Sequence, residues 1–425
     1  MNEMLLQFIW QYSLYRPNEL YTTAGEPLTI IFPGKRNRDS GPDFSEARIR
    51  IGSTTLVGNI ELHNKISDWD RHGHQADPSY QNIILHVVFR DDRNYKRPDF
   101  PVLELGPAIP AYVIDQYTNL IQTTRPIACA RQVSGIPAIV RESWLNRLLA
   151  ERWEQKLEEW KDQLRQSAGD WSLLLYWRLA ANFGFKVNAV PFLMLAQSIP
   201  LTVLARHKDN LMQIEALLFG QAGMLEADFE DPYPMALQTE YRYLKRKYNL
   251  VPIVGHLWKF LRMRPANFPT VRIAQFAALI HRSVHLFAQV TSTYEVAAIR
   301  ELLQVTASSY WDNHFHFGEQ AARSGPKSLG NTSADNIIIN TIAPLQFLYA
   351  HYHGQQIDQE RALQLLSLVS PEENNIIETW EEAGWKPQNA LQSQAMLQLF
   401  HQYCEPKRCL ECALGLNIIR SRPAK

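Results

Sequence analysis

Cysteine is scarce in this chain: four in 425 residues. That excludes a secreted disulfide scaffold, and three of the four crowd into the last twenty-two positions. A dominant charge is missing as well. Forty-three basic side chains meet forty-three acidic ones, so no global field draws the protein to nucleic acid or to an anionic membrane, and any such contact has to be local. Long hydrophobic runs are also lacking. The longest uncharged stretch, "NIIINTIAPLQFLYAHYHGQQI", is broken by Asn340, Thr341, Pro344 and Gln346, which are costly in hydrocarbon. The opening "MNEMLLQFIWQYSLY" has no basic leader and no small-residue cleavage site, so no signal peptide is expected. The expectation is a soluble, cytoplasmic protein without a membrane partner, and no fixed repeat or low-complexity tract stands out.

What the chain does have is apolar content, 46%, and a length beyond one core, so two or three domains are expected. Strand signals concentrate in residues 1–128. A short amphipathic helix at 3–15 precedes "PLTIIFPG", "ARIRIG", "TLVGNIELH", "NIILHVVFR" and "PVLELG", each bounded by Gly, Pro, Asp or Asn. "ARIRI" alternates, which gives one wet face, whereas "IILHVVF" is apolar on both faces and reads as a central strand. From about residue 135 the period becomes helical, as in "ESWLNRLLAERWEQKLEEWKDQLRQ". The fold class is therefore α+β: a small mixed-sheet domain (1–128) followed by a large α-helical domain (129–425) that ends in the cysteine cluster.

The densest chemistry lies in "SGPDFSEARIRIGSTTLVGNIELHNKISDWDRHGHQAD" (40–77), which holds Asp43, Glu61, His63, Lys65, Asp68, His72, His74 and Asp77. Seventeen residues lie between Asp43 and Glu61, room for a strand, a turn and most of a second strand. In an extended "GNIELHNK" the side chains of Glu61, His63 and Lys65 share a face. Two carboxylates on neighbouring strands can hold a divalent cation that polarises a phosphoryl oxygen and lowers the pKa of a bound water. His72 and His74, with Asp77 nearby, add candidate ligands, and imidazole favours Mn or Zn over Mg. His86, inside an apolar strand, is expected to be a hydrogen-bonded core histidine. Asp68 and Trp69 read as a cap and a packing anchor.

Pro42-Asp43 and Glu61-Leu62-His63 resemble the two elements of the PD-(D/E)xK nuclease pattern. The order of a helix, three strands, a short connection and a further strand is similar to its restriction endonuclease-like core. The resemblance implies metal-dependent phosphodiester hydrolysis, with a divalent cation (Mg or Mn) on Asp43 and Glu61 and with His63 or Lys65 aligning water. His63 stands where that pattern has lysine, and a neutral imidazole supplies no fixed positive charge. "GPDF", "GNIELH", "SDW", "H-x-H-x-x-D" and "ILHVV", with "EALLFGQAGML", "RMRPANFPTVRIAQ" and the C-terminal cysteines, also resemble an uncharacterised bacterial family, a domain of unknown function, over nearly the entire chain.

"YCEPKRCLECALG" gives Cys404, Cys409 and Cys412, spaced so that thiolates can converge on one ion, and Cys129 is the remaining thiol that could complete a four-ligand site. Four thiolates suit a structural zinc or a four-iron iron-sulfur cluster; the alternative is a set of buried thiols. Some PD-(D/E)xK nucleases staple their core with such a cluster through one distant cysteine and three near the C-terminus. This arrangement is similar, although here the lone cysteine follows the core motifs. Candidate nucleic-acid contacts are Lys35, Arg36 and Arg38 in "PGKRNRD" and Arg262, Arg264 and Arg272 in "KFLRMRPANFPTVR", where guanidinium groups neighbour aromatics. His314 and His316 read as structural. The rivals to a nuclease are a non-catalytic nucleic-acid-binding or scaffold protein, and a metal hydrolase acting on a small molecule.

Overall fold

The computed structural model describes residues 1–72, 74, 77–92 and 99–422. They form two compact units, one made of Met1–Trp144, Thr379–Trp385 and Leu399–Lys425, the other of Leu145–Glu378 and Lys386–Gln398. Together they are α+β: a mixed sheet near the N-terminus and many helices after it. Where the sequence reading divides the chain at 128/129, the stretch from Leu399 onward groups with the sheet, and so does Cys129. Periodicity reports the type of an element, not the core against which it packs.

In the first unit, α1 (Glu3–Gln11) begins at Asn2, whose side chain accepts the Met4 amide at 2.8 Å, and buries Leu5, Leu6, Phe8, Ile9 and Trp10. It ends short of residue 15 because Ser13 adopts a left-handed φ of 52°. The strands are β1 (Leu28–Phe32), β2 (Lys35–Arg36), β3 (Phe44–Ile51), β4 (Thr54–Lys65), β5 (Ile83–Arg90) and β6 (Val102–Glu104). They lie in the order β1-β3-β4-β5-β6, with β2 paired to β3. β1, β3 and β4 run antiparallel, while β4, β5 and β6 are parallel. Along β3, Ala47, Ile49 and Ile51 are buried and alternate with exposed Arg48 and Arg50. β5 is buried from Ile83 to Val88, as its two-faced apolar sequence requires. A four-residue helix, α2 (Asp68–Arg71), lies in the connection between β4 and β5, and α3 (Ala111–Gln122) follows β6.

Two local devices shape the centre of this sheet. A bulge shifts the β3/β4 register between Phe44 and Ala47, with Glu46 at a φ of 57°. Bulges re-aim neighbouring side chains, and this one begins next to Asp43. At Gly58 a Cβ would lie 2.5 Å from Ile84 Cγ2 and 2.8 Å from the Asn82 carbonyl. Glycine there lets β4 and β5 close just ahead of Glu61.

The second unit is mostly helical. α4 (Ala138–Gln166) leads into it, and α5 (Trp171–Phe183) is capped by Asp170, which accepts the Leu173 amide. The helical reading missed one hairpin, His314–His316 paired with Glu319–Gln320 around Gly318 at a φ of 72°. Among the described residues, no helix is long and apolar enough to cross a membrane.

Candidate metal centre

β3 and β4 bring the two acids together. The Asp43 amide donates to Glu61 Oε2 at 3.0 Å, and the Leu62 amide donates to Asp43 Oδ2 at 3.0 Å, so each carboxylate is held by the other strand's backbone. Glu61 is 5% exposed. Burial raises the pKa of both acids well above the carboxylate range, and their mutual repulsion raises Glu61 further. The compensating groups are weak. Gln7 of α1 donates to Asp43 Oδ1 at 2.7 Å, and Arg36 donates to Gln7 Oε1 at 3.0 Å, so the guanidinium reaches the carboxylate through an amide. Among the described residues no lysine or arginine bonds either acid directly, an arrangement suited to taking up a cation.

Opposite Glu61 stand four imidazoles. His63 and His86 are buried in β4 and β5, and His63 Nδ1 lies 2.9 Å from His86 Nε2. His63 Nε2 lies 3.1 Å from His72 Nδ1 and 3.6 Å from Glu61 Oε1, and His74 Nε2 lies 3.4 Å from that same oxygen. Among the described residues, His63, His72 and His74 are the group whose ligand atoms all lie within 4.8 Å of one another. Burial pushes His63 and His86 far below the ordinary imidazole range, and neighbouring imidazoles push in the same direction. That keeps the rings neutral, the form that ligates metal. His86 acts as a core partner that orients His63.

Local structure positions the loop imidazoles. Asp68 accepts the Lys65 amide at 3.0 Å and pairs with Arg71 at 2.6 Å, which sets the turn of α2. Trp69 is buried with its ring at an angle to those of His74 and Phe100. Tyr80 stacks on His74 at 4.1 Å. Glu61 Oε1, with His63 and His74 beside it and His72 against His63, has the donor chemistry of a transition-metal site and not of a pure oxygen cage.

Other candidates are placed elsewhere. Lys65 is exposed at the last position of β4. Asp77 is exposed and caps the turn Pro78–Tyr80 by accepting the Ser79 amide at 2.9 Å and the Ser79 hydroxyl; those hydrogen bonds lower its pKa. Lys35 pairs with Glu46 at 2.6 Å, while Arg38, Arg262 and Arg264 are exposed. Arg272 departs from the surface role read from its sequence. It is 4% exposed, donates to Asn267, Gln275 and Ser333, and lies 4.5 Å over the Phe185 ring. An arginine in a helical run beside aromatics can as readily be an internal strut as a phosphate contact.

Sequence reasoning missed Glu3, Gln7 and Tyr80. Glu3 and Gln7 lie four apart on α1, and Glu3 adds to the repulsion on both acids. That i,i+4 polar pair amid Leu, Phe and Ile was the available signal.

A family model described as "Protein of unknown function (DUF2851)" matches residues 3–375. The chain belongs to this family. It spans both the acid pair and the imidazoles, and stops short of Cys404, Cys409 and Cys412. No match was found among curated proteins or among solved structures.

Proposed function

We propose that this protein is a metal-dependent phosphodiesterase acting on a nucleic acid, with Asp43, Glu61, His63, His72 and His74 as its centre. The observation that carries this reading is the Asp43–Glu61 pair, which among the described residues has no lysine or arginine bonded to it and which lies beside the His63, His72 and His74 group. An ion of the Mn or Zn kind suits mixed carboxylate and imidazole donors, and when bound it would supply Lewis acidity and a more acidic water. Glu61 Oε1 with His63 and His74 would hold it. Asp43, kept near by the Leu62 amide and Gln7, would add negative charge on the same side. The element order supports the phosphodiester reading: a helix, three antiparallel strands, a short connection and a parallel strand, with an acid before the second strand and Glu-x-His in the third. That is similar to the PD-(D/E)xK nucleases.

Purified full-length protein supplied with Mn, Mg or Zn is expected to cleave single- or double-stranded DNA, or RNA, and Asp43→Ala or Glu61→Ala is expected to remove that cleavage. Wild type and variants equally inert on all of these substrates would overturn catalysis. A second reading, a non-catalytic nucleic-acid-binding protein, is favoured by one observation: the residue in the lysine position, His63, is buried between His86 and His72. It predicts binding that weakens with salt and survives Asp43→Ala.

A further inference from the structure

All four cysteines group with the first unit, Cys129, Cys409 and Cys412 buried and Cys404 partly so, with no disulfide among them. The second unit carries a different feature, a cleft of about 480 Å³ bounded by α5, the helix Leu201–Arg206, the helix Pro269–Arg282 and the helix Leu286–Ser292. Its floor is apolar. Leu175, Leu179, Leu204 and Leu279 are buried there, and Tyr176 stacks on Phe276 with ring centroids 5.6 Å apart. Ala205, His285 and Ala288 are exposed at its edge, so the cleft opens to solvent. Its volume falls within the range of small-molecule sites, and an apolar recess open to water marks a place where something binds.

The fold holds the polar groups of the rim in place. His207 is buried and lies 2.6 Å from Gln213 Oε1 and 2.8 Å from the Tyr248 hydroxyl, and the Lys208 carbonyl accepts His281 Nδ1 at 2.6 Å. Those bonds fix the turn after Leu201–Arg206 and set the half-buried Lys208 in the wall of the cleft. His285 adopts a left-handed φ of 52° between the last two helices, and that turn brings Leu286, Phe287 and Ala288 onto the cleft. A residue other than glycine in that region is uncommon and persists where the surrounding structure over-determines it. The Ser283 hydroxyl donates to the Leu279 carbonyl of its own helix at 2.5 Å. Lys208 and His285 are then the basic groups of the lining, which among the described residues holds no aspartate or glutamate.

This lining discriminates among ligand classes. A cation meets no carboxylate there, and a nucleobase meets too few donors and acceptors to satisfy its edges. One negative head on an aliphatic tail suits both halves of the cleft. Methylenes lie against the leucine and phenylalanine floor, each one buried raising affinity about fourfold, and the head meets the Lys208 ammonium in a charge-assisted hydrogen bond. We propose that the second unit binds an aliphatic monocarboxylate, with its acyl chain in the cleft and its carboxylate on Lys208. The site shares no residue with the Asp43–Glu61 centre, so the two readings stand or fall separately.

The test is isothermal titration calorimetry of the full chain with straight-chain carboxylates from hexanoate to dodecanoate, kept below their micellar concentrations, and with 1-nonanol as the neutral match to nonanoate. The expected result is one site per chain, with affinity rising about fourfold for each added methylene until the cleft is full. Lys208→Met, which keeps an apolar stem and removes the charge, should weaken nonanoate about fivefold and leave 1-nonanol unchanged. Ala205→Trp and, on another helix, Ala288→Trp place a ring at exposed edge positions and should weaken both ligands at least about tenfold, the loss of two or more buried methylenes. Circular dichroism melts check that each variant is folded. Carboxylates that bind at many weak sites, or at none, or that bind the folded tryptophan variants as they bind wild type, would overturn the cleft as the site. Equal affinity for nonanoate and 1-nonanol, indifferent to Lys208→Met, would overturn the carboxylate and assign the cleft to a neutral lipid.

Discussion

Ionisable groups in the second unit are met by built partners, whereas the Asp43–Glu61 pair of the first is left with amides and imidazoles. Arg178 pairs with Glu159 at 3.0 Å and lies 4.9 Å over Trp160. Arg300 grips Asp335 through two bonds of 2.7 and 2.8 Å. Glu215, 2% exposed, receives the Tyr233 hydroxyl at 2.9 Å. Each of these is an ionisable group with a built partner, the ordinary condition for burying one. Asp43 and Glu61 instead face each other, with backbone amides and Gln7 as donors and neutral imidazoles beyond. A structural acid is expected to have found an arginine over the course of selection; one that has not is better understood as half of a site whose other half arrives from solution.

Glu61→Gln breaks that comparison most directly. It keeps the shape of the side chain and removes its charge. Cleavage by the metal-loaded protein is expected to fall about a thousandfold, equivalent to about 4 kcal/mol of transition-state stabilisation. Above pH 8, where Glu61 is ionised, the metal-free variant should unfold in urea at the same concentration as wild type or higher, because a buried repulsion has been relieved. A variant that loses activity by unfolding would place Glu61 with the structural charges of the second unit.

Glu215 offers the converse test. Burial raises its pKa from 4.5 to about 7 in the folded state. Below the unfolded value the carboxyl is protonated in both states and no stability is lost. Between that value and the folded one the unfolded chain releases its proton while the folded chain keeps it, so stability falls as pH rises, by about 3 kcal/mol in all above the folded pKa. Urea titrations of wild type from pH 5 to pH 8 should show this decline, and Glu215→Gln should flatten it. An unchanged slope in the variant would mean that a group other than Glu215 carries the decline.

The contrast also explains what could be read in advance. Strand-forming runs and their order were legible because a buried, two-faced strand such as Ile83–Val88 has a composition unlike that of a helix. The acid pair was legible because adjacent strands impose a period of two, which placed Glu61 and His63 on one face. Gln7 was legible only as half of a polar i,i+4 pair with Glu3, and its bond to Asp43 depends on how α1 docks, a tertiary fact that the pair does not announce. Asp77 was misleading for a related reason: an aspartate before Pro-Ser can cap a turn as readily as bind a metal, and here the cap uses the carboxylate. The grouping of the chain's end with the sheet was invisible to periodicity, and only the scarcity of cysteine hinted at it.

The arginines give the last and smallest effects. Arg272→Ala removes a buried guanidinium and strands the side chains of Asn267, Gln275 and Ser333, so it is expected to cost about 2 kcal/mol in urea unfolding. Arg264→Ala, at an exposed position, should cost less than about 0.5 kcal/mol. If the exposed arginines touch a nucleic acid, Arg264→Ala should weaken binding at low salt and reduce the salt dependence by about one counterion, measured by fluorescence anisotropy. Arg272→Ala, compared at a temperature where it is fully folded, should leave both quantities unchanged. Equal weakening by the two substitutions would mean that Arg272 reaches the ligand despite its burial, and the line drawn here between charges that serve the fold and charges that await a partner would have to be redrawn.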